Sequence, residues 1–263
     1  MTDLQLQCKD ALLSPDERID DVNLGIRLIQ NKNGLTFGTD AFLLSAFVRS
    51  SARARAVDLG SGTGIIPLLL LASKKAASVT AVEVQPTFVD LIARNAALNG
   101  FEGKLHPMAA DVRGLTAASL GFEADLVVSN PPYMRCDTGR RNMHDEKYIA
   151  RHEVMGGISD FCHAAGKLLK HGGKFVCVFR PDRLSELFAA MQSASLEPKR
   201  MTFVHADDES EPSSVLIEAI KGASPSLRIS PPLLLYQKRH AAEETRVLTP
   251  EAQAIYDGCN FPR

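Results

Sequence analysis

Residues 56–72 read AVDLGSGTGIIPLLLLA: a β-branched, apolar run ending in an acid, then three glycines at alternate positions, then a second apolar run. The first run predicts a buried strand over Arg55 to Leu59, and the second a helix over Ile65 to Ser73. Gly60, Gly62 and Gly64 allow a sharp turn between them and let a ligand approach the main chain closely. In an open α/β sheet such a turn lies at the carboxyl edge of the strands, where ligands bind.

Downstream the alternation repeats. Ser78 to Val84 predicts a strand, and Pro86 to Asn99 a helix with Pro86 in its first turn and Gly100 as its stop. Leu105 to Ala110 and Ala124 to Ser129 (ADLVVS) predict further strands. Ile158 to Leu169 predicts a helix, closed by Gly172-Gly173 before a strand at Lys174 to Phe179. A helix over Arg183 to Ala194 is followed by strands at Arg200 to His205 and Ser214 to Lys221, joined so tightly that they must run antiparallel. The expected fold class is α/β: a doubly wound, mostly parallel sheet with an antiparallel C-terminal hairpin. Ahead of it, Val22 to Gln30 alternates polar and apolar, Asn33-Gly34 signals an N-terminal hairpin turn, and Thr39-Asp40 can cap a helix running to about Val48. No repeat or linker divides the chain, so one domain is expected over residues 51–222, with a lead at 1–50 and a loop or tail at 223–263.

The composition agrees with an ordinary globular core: 263 residues, 45% hydrophobic, 23% charged. The five cysteines are scattered without a C-x-x-C pair and read as reduced thiols, and the seven histidines lack ligand spacing, so no metal is expected. The longest apolar run, Ile65 to Ala72, is too short to span a bilayer, and the N-terminus lacks signal-peptide features; the reading is cytoplasmic, with no membrane partner. A net charge of -1 speaks against nucleic acid until it is read by position. Residues 1–25 hold six acids and two bases, which leaves 28 bases against 25 acids in the remainder. Arg27, Lys32, Arg49, Arg53 and Arg55 face only Asp40 within residues 26–55.

Two acids flank the glycine loop. Asp58 ends the strand before it, and Glu83 ends the next strand, at the distance where an acid takes both ribose hydroxyls of a nucleotide. Dinucleotide loops have G-x-G-x-x-G and offer a helix N-terminus to pyrophosphate; this loop is G-x-G-x-G, and Asp58 is a poor companion for phosphate. S-adenosylmethionine carries a sulfonium and an ammonium and no phosphate, so Asp58, Gly60, Ser61, Gly62, Gly64 and Glu83 make chemical sense around it. Asp111 follows a strand and reads either as an acceptor for the adenine amino group or as a solvated strand-end residue.

The strand ADLVVS ends in Asn130-Pro131-Pro132-Tyr133. Two prolines fix the backbone and contribute no N–H, so the turn exposes carbonyls without competing donors. An exocyclic or amide NH₂ is a weak nucleophile because its lone pair is delocalised. The Asn130 side-chain oxygen and the Pro131 carbonyl can hold both N–H bonds and aim that lone pair at a sulfonium methyl, while Tyr133 stacks on the plane. The plainer reading is an Asn-Pro turn with Tyr133 packed against it.

DLGSGTG at 58–64, Glu83 and NPPY at 130–133 resemble the class I S-adenosylmethionine-dependent methyltransferases, whose fold is Rossmann-like. More narrowly, FGTDAFLL at 37–44, IARHEVM at 149–155, LEPKRMTFVH at 196–205 and VLIEAIK at 215–221 look like the bacterial tRNA1(Val) N6-adenine methyltransferase family. That resemblance implies methyl transfer to the N6 of an adenine in tRNA, in the anticodon region. It also implies that Phe37 to Asp40, including Thr39, closes over the methionine end of the cofactor. Release-factor glutamine methyltransferases share NPPY but have a helical N-terminal domain, and DNA adenine methyltransferases usually carry a target-recognition domain that no segment here is long enough to form. A protein glutamine or an rRNA base as substrate stays open, as does a non-catalytic nucleotide- or RNA-binding module. Oligomeric state is not legible.

After NPPY, residues Arg135, Arg140, Arg141, Lys147 and Arg151 outnumber Asp137, Asp145 and Glu146. A long segment beside an active site reads as a substrate lid holding phosphates, or as a mixed-charge solvated loop.

Overall fold

The computed structural model describes residues 13–32, 38–49, 51–132, 156–238 and 246–262. The chain begins with β1 (Glu17–Val22) and β2 (Ile26–Asn31), then α1 (Thr39–Phe47), β3 (Arg55–Leu59), α2 (Ile65–Ala72), β4 (Ser78–Glu83) and α3 (Pro86–Leu98). There follow β5 (Leu105–Ala109), α4 (Ala117–Leu120), β6 (Ala124–Ser129), α5 (Ile158–Leu168), β7 (Leu169–Phe179) and α6 (Leu184–Ser193). β8 (Leu196–His205), β9 (Pro212–Lys221), β10 (Arg228–Ile229), β11 (Leu233–Leu234) and α7 (Pro250–Gly258) complete it.

The main sheet runs β10-β8-β9-β7-β6-β3-β4-β5, with β11 also on β8. β3, β4, β5, β6 and β7 are mutually parallel, and β9 lies antiparallel between β7 and β8. The expected doubly wound sheet with an antiparallel hairpin is therefore present. Strand alternation divides the core between two faces. Ala56, Ala81, Val128, Val176 and Val178 pack with α1, α2, α3, the β1–β2 hairpin and α7; Val57, Leu59, Val127, Phe175 and Cys177 pack with α5 and α6. Among the described residues no helix is long and apolar enough to cross a membrane.

Several local expectations need correction. The hairpin turns at Asn23–Gly25, inside the run read as one alternating segment. The reversal there uses Leu24 and Gly25 with φ of 64° and 71°; a left-handed Leu is rare enough that no pattern signals it. Asn33-Gly34 lie outside the described residues. Gly38, not Thr39-Asp40, is the N-cap of α1, and Thr39 and Asp40 form its first turn. Gly172-Gly173 do not close a helix: α5 ends at Leu168, and both glycines fall within β7, where the register jumps from Ala124↔Leu169 to Leu126↔Lys174. A Cβ on Gly173 would lie 2.9 Å from the Lys170 carbonyl and 3.1 Å from that of Ala124, so glycine there permits close backbone approach. The expected tail holds a helix, α7, because two turns with Ala252 and Ile255 inward are too short to show a periodic stripe.

Candidate active site

Register builds the site. β3 pairs with β4 through Leu59↔Val82 and with β6 through Leu59↔Ser129, so Gly60, Glu83 and Asn130 emerge side by side at the carboxyl edge. The Ser129 hydroxyl donates to the Leu59 carbonyl at 2.9 Å and ties the two strand ends together. Pro131 is buried and Pro132 half-buried behind Asn130. Tyr133, Arg135, Arg140, Arg141 and Arg151, like Phe37, lie outside the described residues.

The glycine loop uses its own amides. Gly60 and Ser61 N–H both donate to the Val82 carbonyl (2.9 and 3.0 Å), Gly62 N–H donates to a Glu83 carboxylate oxygen (3.0 Å), and Gly64 N–H to the Ser61 carbonyl (2.9 Å). Four of the five loop amides are thus engaged, one of them by an acid, so this loop is not the amide nest that cradles phosphate. Gly60, Gly62 and Gly64 adopt φ of 74°, 53° and 84°, a left-handed region that favours glycine. A Cβ on Gly64 would come 3.2 Å from Ile92, whereas one on Gly62 would meet nothing within 4 Å and would enter the open side of the loop.

Asp58 has 0% exposure, and among the described residues neither carboxylate oxygen has a hydrogen-bond partner. Burial pushes its carboxyl up to about 7, with the charge of Glu83 adding to the effect. Asp58 lies in register with Ala81 and Val128, and on the α1–α2 side of the sheet. An unpartnered buried carboxylate beside an open glycine loop suits a cationic group, and it would oppose a phosphate. Glu83, also buried, uses its second oxygen to accept from Gln85 N–H at 3.0 Å.

A small slot is lined by Gly60, Glu83, Val84, Asp111 and Phe161. Asp111 is not a bare strand-end acid: it caps the 3-10 turn Val112–Gly114 by accepting from Arg113 N–H, and its carboxylate also receives the Arg113 guanidinium. That guanidinium holds its carboxyl below the usual range. Phe161, in α5, was not singled out from sequence because Phe161, Cys162 and Ala165 form an ordinary core stripe. Its ring edge lies 3.3 Å from where a Gly60 Cβ would sit, making it the apolar wall of the slot.

A wider cleft of about 710 Å³ opens on the same edge, lined by Asp40, Arg180, Asp182, Glu211 and Ser214 among others. Thr39 and Asp40 stand at the start of α1, brought there by the packing of α1 on α2. Arg180 is paired to Asp182 (2.9 and 2.6 Å), so among the described residues the lining of the cleft has an acidic balance. Arg53 and Arg55, by contrast, lead into β3 and lie at the opposite, amino edge of the parallel strands. Among the described residues no group of His, Cys, Asp and Glu has a metal-binding arrangement.

The family model "Methyltransferase small domain" matches residues 31–194, more than half of the chain. The chain belongs to the methyltransferase small domain family. Relatives of this methyltransferase include the tRNA1(Val) (adenine(37)-N6)-methyltransferase of Bacteroides fragilis, 28% identical over 191 residues, covering 71% of this chain and 78% of that protein. The Porphyromonas gingivalis protein of the same name is 29% identical over 190 residues, with 69% and 72% covered. Among solved structures, a predicted O-methyltransferase from Agrobacterium tumefaciens aligns with a TM-score of 0.67 at 23% identity, over 85% of this chain and 98% of that one. The Thermus thermophilus 16S rRNA N2 G1207 methyltransferase, solved with AdoMet and guanosine, aligns with a TM-score of 0.55 at 17% identity, over 80% and 52%. At these identities the structures show a shared fold for this methyltransferase domain.

Proposed function

We propose that this methyltransferase transfers the methyl group of S-adenosylmethionine to the exocyclic N6 of an adenine in tRNA. The observation that carries this reading is the register Leu59↔Ser129, which sets Asn130 and its prolines against the glycine loop. The residues present fit the cofactor. Asp58 and Asp40 meet its cationic amino-acid end, Glu83 its ribose hydroxyls, and Asp111 and Phe161 its adenine, with Gly60, Ser61, Gly62 and Gly64 as the cradle. For Glu83, binding exchanges the Gly62 N–H for the ribose. When bound, S-adenosylmethionine supplies an electrophilic methyl on sulfur.

The Asn130 side-chain oxygen and the Pro131 carbonyl accept the two N–H bonds of the adenine amine, and Pro132 stiffens the turn. Held there, the amine would present its nitrogen lone pair to the electrophilic methyl that bound S-adenosylmethionine would supply, and the proton that leaves the methylated nitrogen would pass to solvent. Positioning of this kind removes much of the entropic barrier. Tyr133 stacks on the base. The adenine must leave its stack to reach Asn130, which costs least in a single-stranded loop. The names of the relatives support adenine 37, beside the anticodon. Arg135, Arg140, Arg141 and Arg151 hold flanking phosphates, and the enzyme works in the cytoplasm.

The test is incubation with methyl-labelled cofactor and separate RNA and protein fractions, followed by mapping of labelled RNA to one nucleotide. Label as N6-methyladenosine in tRNA is expected; label in protein glutamine or in rRNA would overturn the substrate. Asn130→Ala is expected to lose turnover by a thousandfold or so, about 4 kcal/mol of transition-state stabilisation, while still binding cofactor.

A further inference from the structure

The Thr63–Gly64 peptide of the glycine loop is held at both of its polar ends. Gly64 N–H donates to the Ser61 carbonyl (2.9 Å), and the Thr63 carbonyl accepts from Nδ2 of Asn95, in α3, at 2.9 Å. Thr63 lies between two left-handed glycines, Gly62 and Gly64, where the backbone has the most conformational freedom to lose. A donor at that carbonyl therefore fixes the part of the loop that local sterics leave loosest.

Asn95 is itself fixed from a distant part of the chain. It is fully buried; its Oδ1 accepts from Ile29 N–H, and its Nδ2 also donates to the Ile29 carbonyl. Because Oδ1 faces an N–H, both amide protons are left to face carbonyls, so β2 orients the donor that Thr63 receives. Glu17 in β1 clamps the same helix, its two carboxylate oxygens each accepting from the Arg94 guanidinium at 2.7 Å. Residues 17–30 of this hairpin precede the family match, which begins at residue 31. β2 is also the strand that precedes α1, with Asp40 in its first turn.

We propose that Asn95 is a positioning residue for the cofactor loop, and that through it cofactor binding is coupled to the docking of the β1–β2 hairpin. When Glu83 exchanges the Gly62 N–H for the ribose, the second half of the loop keeps its shape because Thr63 stays tied to β2. A loop ordered beforehand loses less freedom on binding, which favours affinity. Coupling is reciprocal, so the cofactor tightens the pairing of Ile29 by the same factor that the pairing tightens the cofactor. The role of Asn95 rests on the reading of the glycine loop given above, and the measurements separate the two.

In the full-length parent, amide hydrogen exchange at Ile29 and Arg27 is measured with and without S-adenosylmethionine. Cofactor Kd by calorimetry, KM for cofactor, kcat on RNA and Tm without ligand are then compared among the parent, Asn95→Ala and Asn99→Ala. Asn99 pairs with Arg27 as Asn95 does with Ile29, but does not touch the loop. Asn95→Ala is expected to raise Kd and KM about fivefold, the size of one lost hydrogen bond, with kcat within about twofold; Asn99→Ala is expected to lower Tm with Kd within about twofold. In the parent, the cofactor is expected to slow exchange of Ile29 N–H about fivefold more than that of Arg27 N–H. Equal slowing at the two amides would overturn the coupling, even where Asn95→Ala fails to fold. A Kd unchanged in Asn95→Ala, or raised equally in both variants, would overturn the positioning role and leave the reading of the loop intact. A parent that binds no S-adenosylmethionine would overturn both.

Discussion

Asn95 of α3 pairs with Ile29 of β2 as a neighbouring strand would: its Oδ1 accepts from Ile29 N–H at 2.7 Å and its Nδ2 donates to the Ile29 carbonyl at 3.1 Å. The same amide donates to the Thr63 carbonyl at 2.9 Å, inside the glycine loop. One turn on, Asn99 repeats the pairing on Arg27, accepting from its N–H and donating to its carbonyl at 2.8 and 2.7 Å. Helix spacing of four residues and strand spacing of two nearly coincide in length, about 6 Å against about 6.6 Å, which is why two asparagines can serve one strand edge.

Replacing Asn95 with Ala strands three backbone groups at once. Loss of about 2–4 kcal/mol of stability is expected, read from the urea midpoint, together with weaker cofactor binding through the released Thr63. The same substitution at Asn99, which does not touch the loop, is expected to cost stability without a comparable loss of affinity.

The Asp58 carboxyl is raised from 3.8 to about 7 in the folded chain. The folded state therefore holds a proton that the unfolded state releases, so its contribution is fully present below pH 3.8 and is lost as the pH rises through about 7. Asp58→Asn is expected to be more stable than the parent at pH 8 in the absence of ligand, by at most on the order of 4 kcal/mol, with the advantage gone at pH 4. Denaturant midpoints at the two pH values check this. Because a cation favours the charged form, cofactor binding near pH 6.5 is expected to release a proton, visible as a buffer-dependent binding enthalpy.

Gly62→Ala and Gly64→Ala separate ligand space from packing. Each forces a left-handed Ala at about 1–2 kcal/mol. At Gly64 the new Cβ also presses on Ile92, so the larger fall in Tm is expected there. At Gly62 it meets no protein atom, and the expected effect is a cofactor affinity at least about tenfold weaker with a smaller loss of stability, read by calorimetry and thermal melting.

Lys75→Met removes two carbonyl partners from the end of α1 while keeping the length of the side chain. A loss of about 2–4 kcal/mol is expected, with the urea midpoint as readout.

Where a residue's place in the fold follows from local spacing, the sequence was enough. AVDLGSGTG, Glu83 at the next strand end and Asn130 after ADLVVS each sit at the close of a buried strand, and parallel strands in one sheet bring their carboxyl ends to one edge whatever the loops do. That rule also explains why the cations Arg53 and Arg55, at the start of β3, stand away from the site. The hairpin turn failed because it depends on a left-handed Leu24, and the Gly172-Gly173 reading failed because a bulge inside a strand resembles a helix stop in sequence. Phe161 looked like core, which it also is; only its approach to Gly60 gives it a second role.

The sequence by itself determined the parallel sheet, the glycine turn and the row of acids along its edge, since periodicity and glycine conformation act within a few residues. Only the tertiary structure decided that the Asp58 carboxylate has no hydrogen-bond partner among the described residues, that four of the five loop amides are already engaged, and that Asn95 braces the loop at Thr63. Those facts depend on contacts between residues dozens to hundreds of positions apart, and burial, charge and hydrogen bonding at such range are set by how the layers pack.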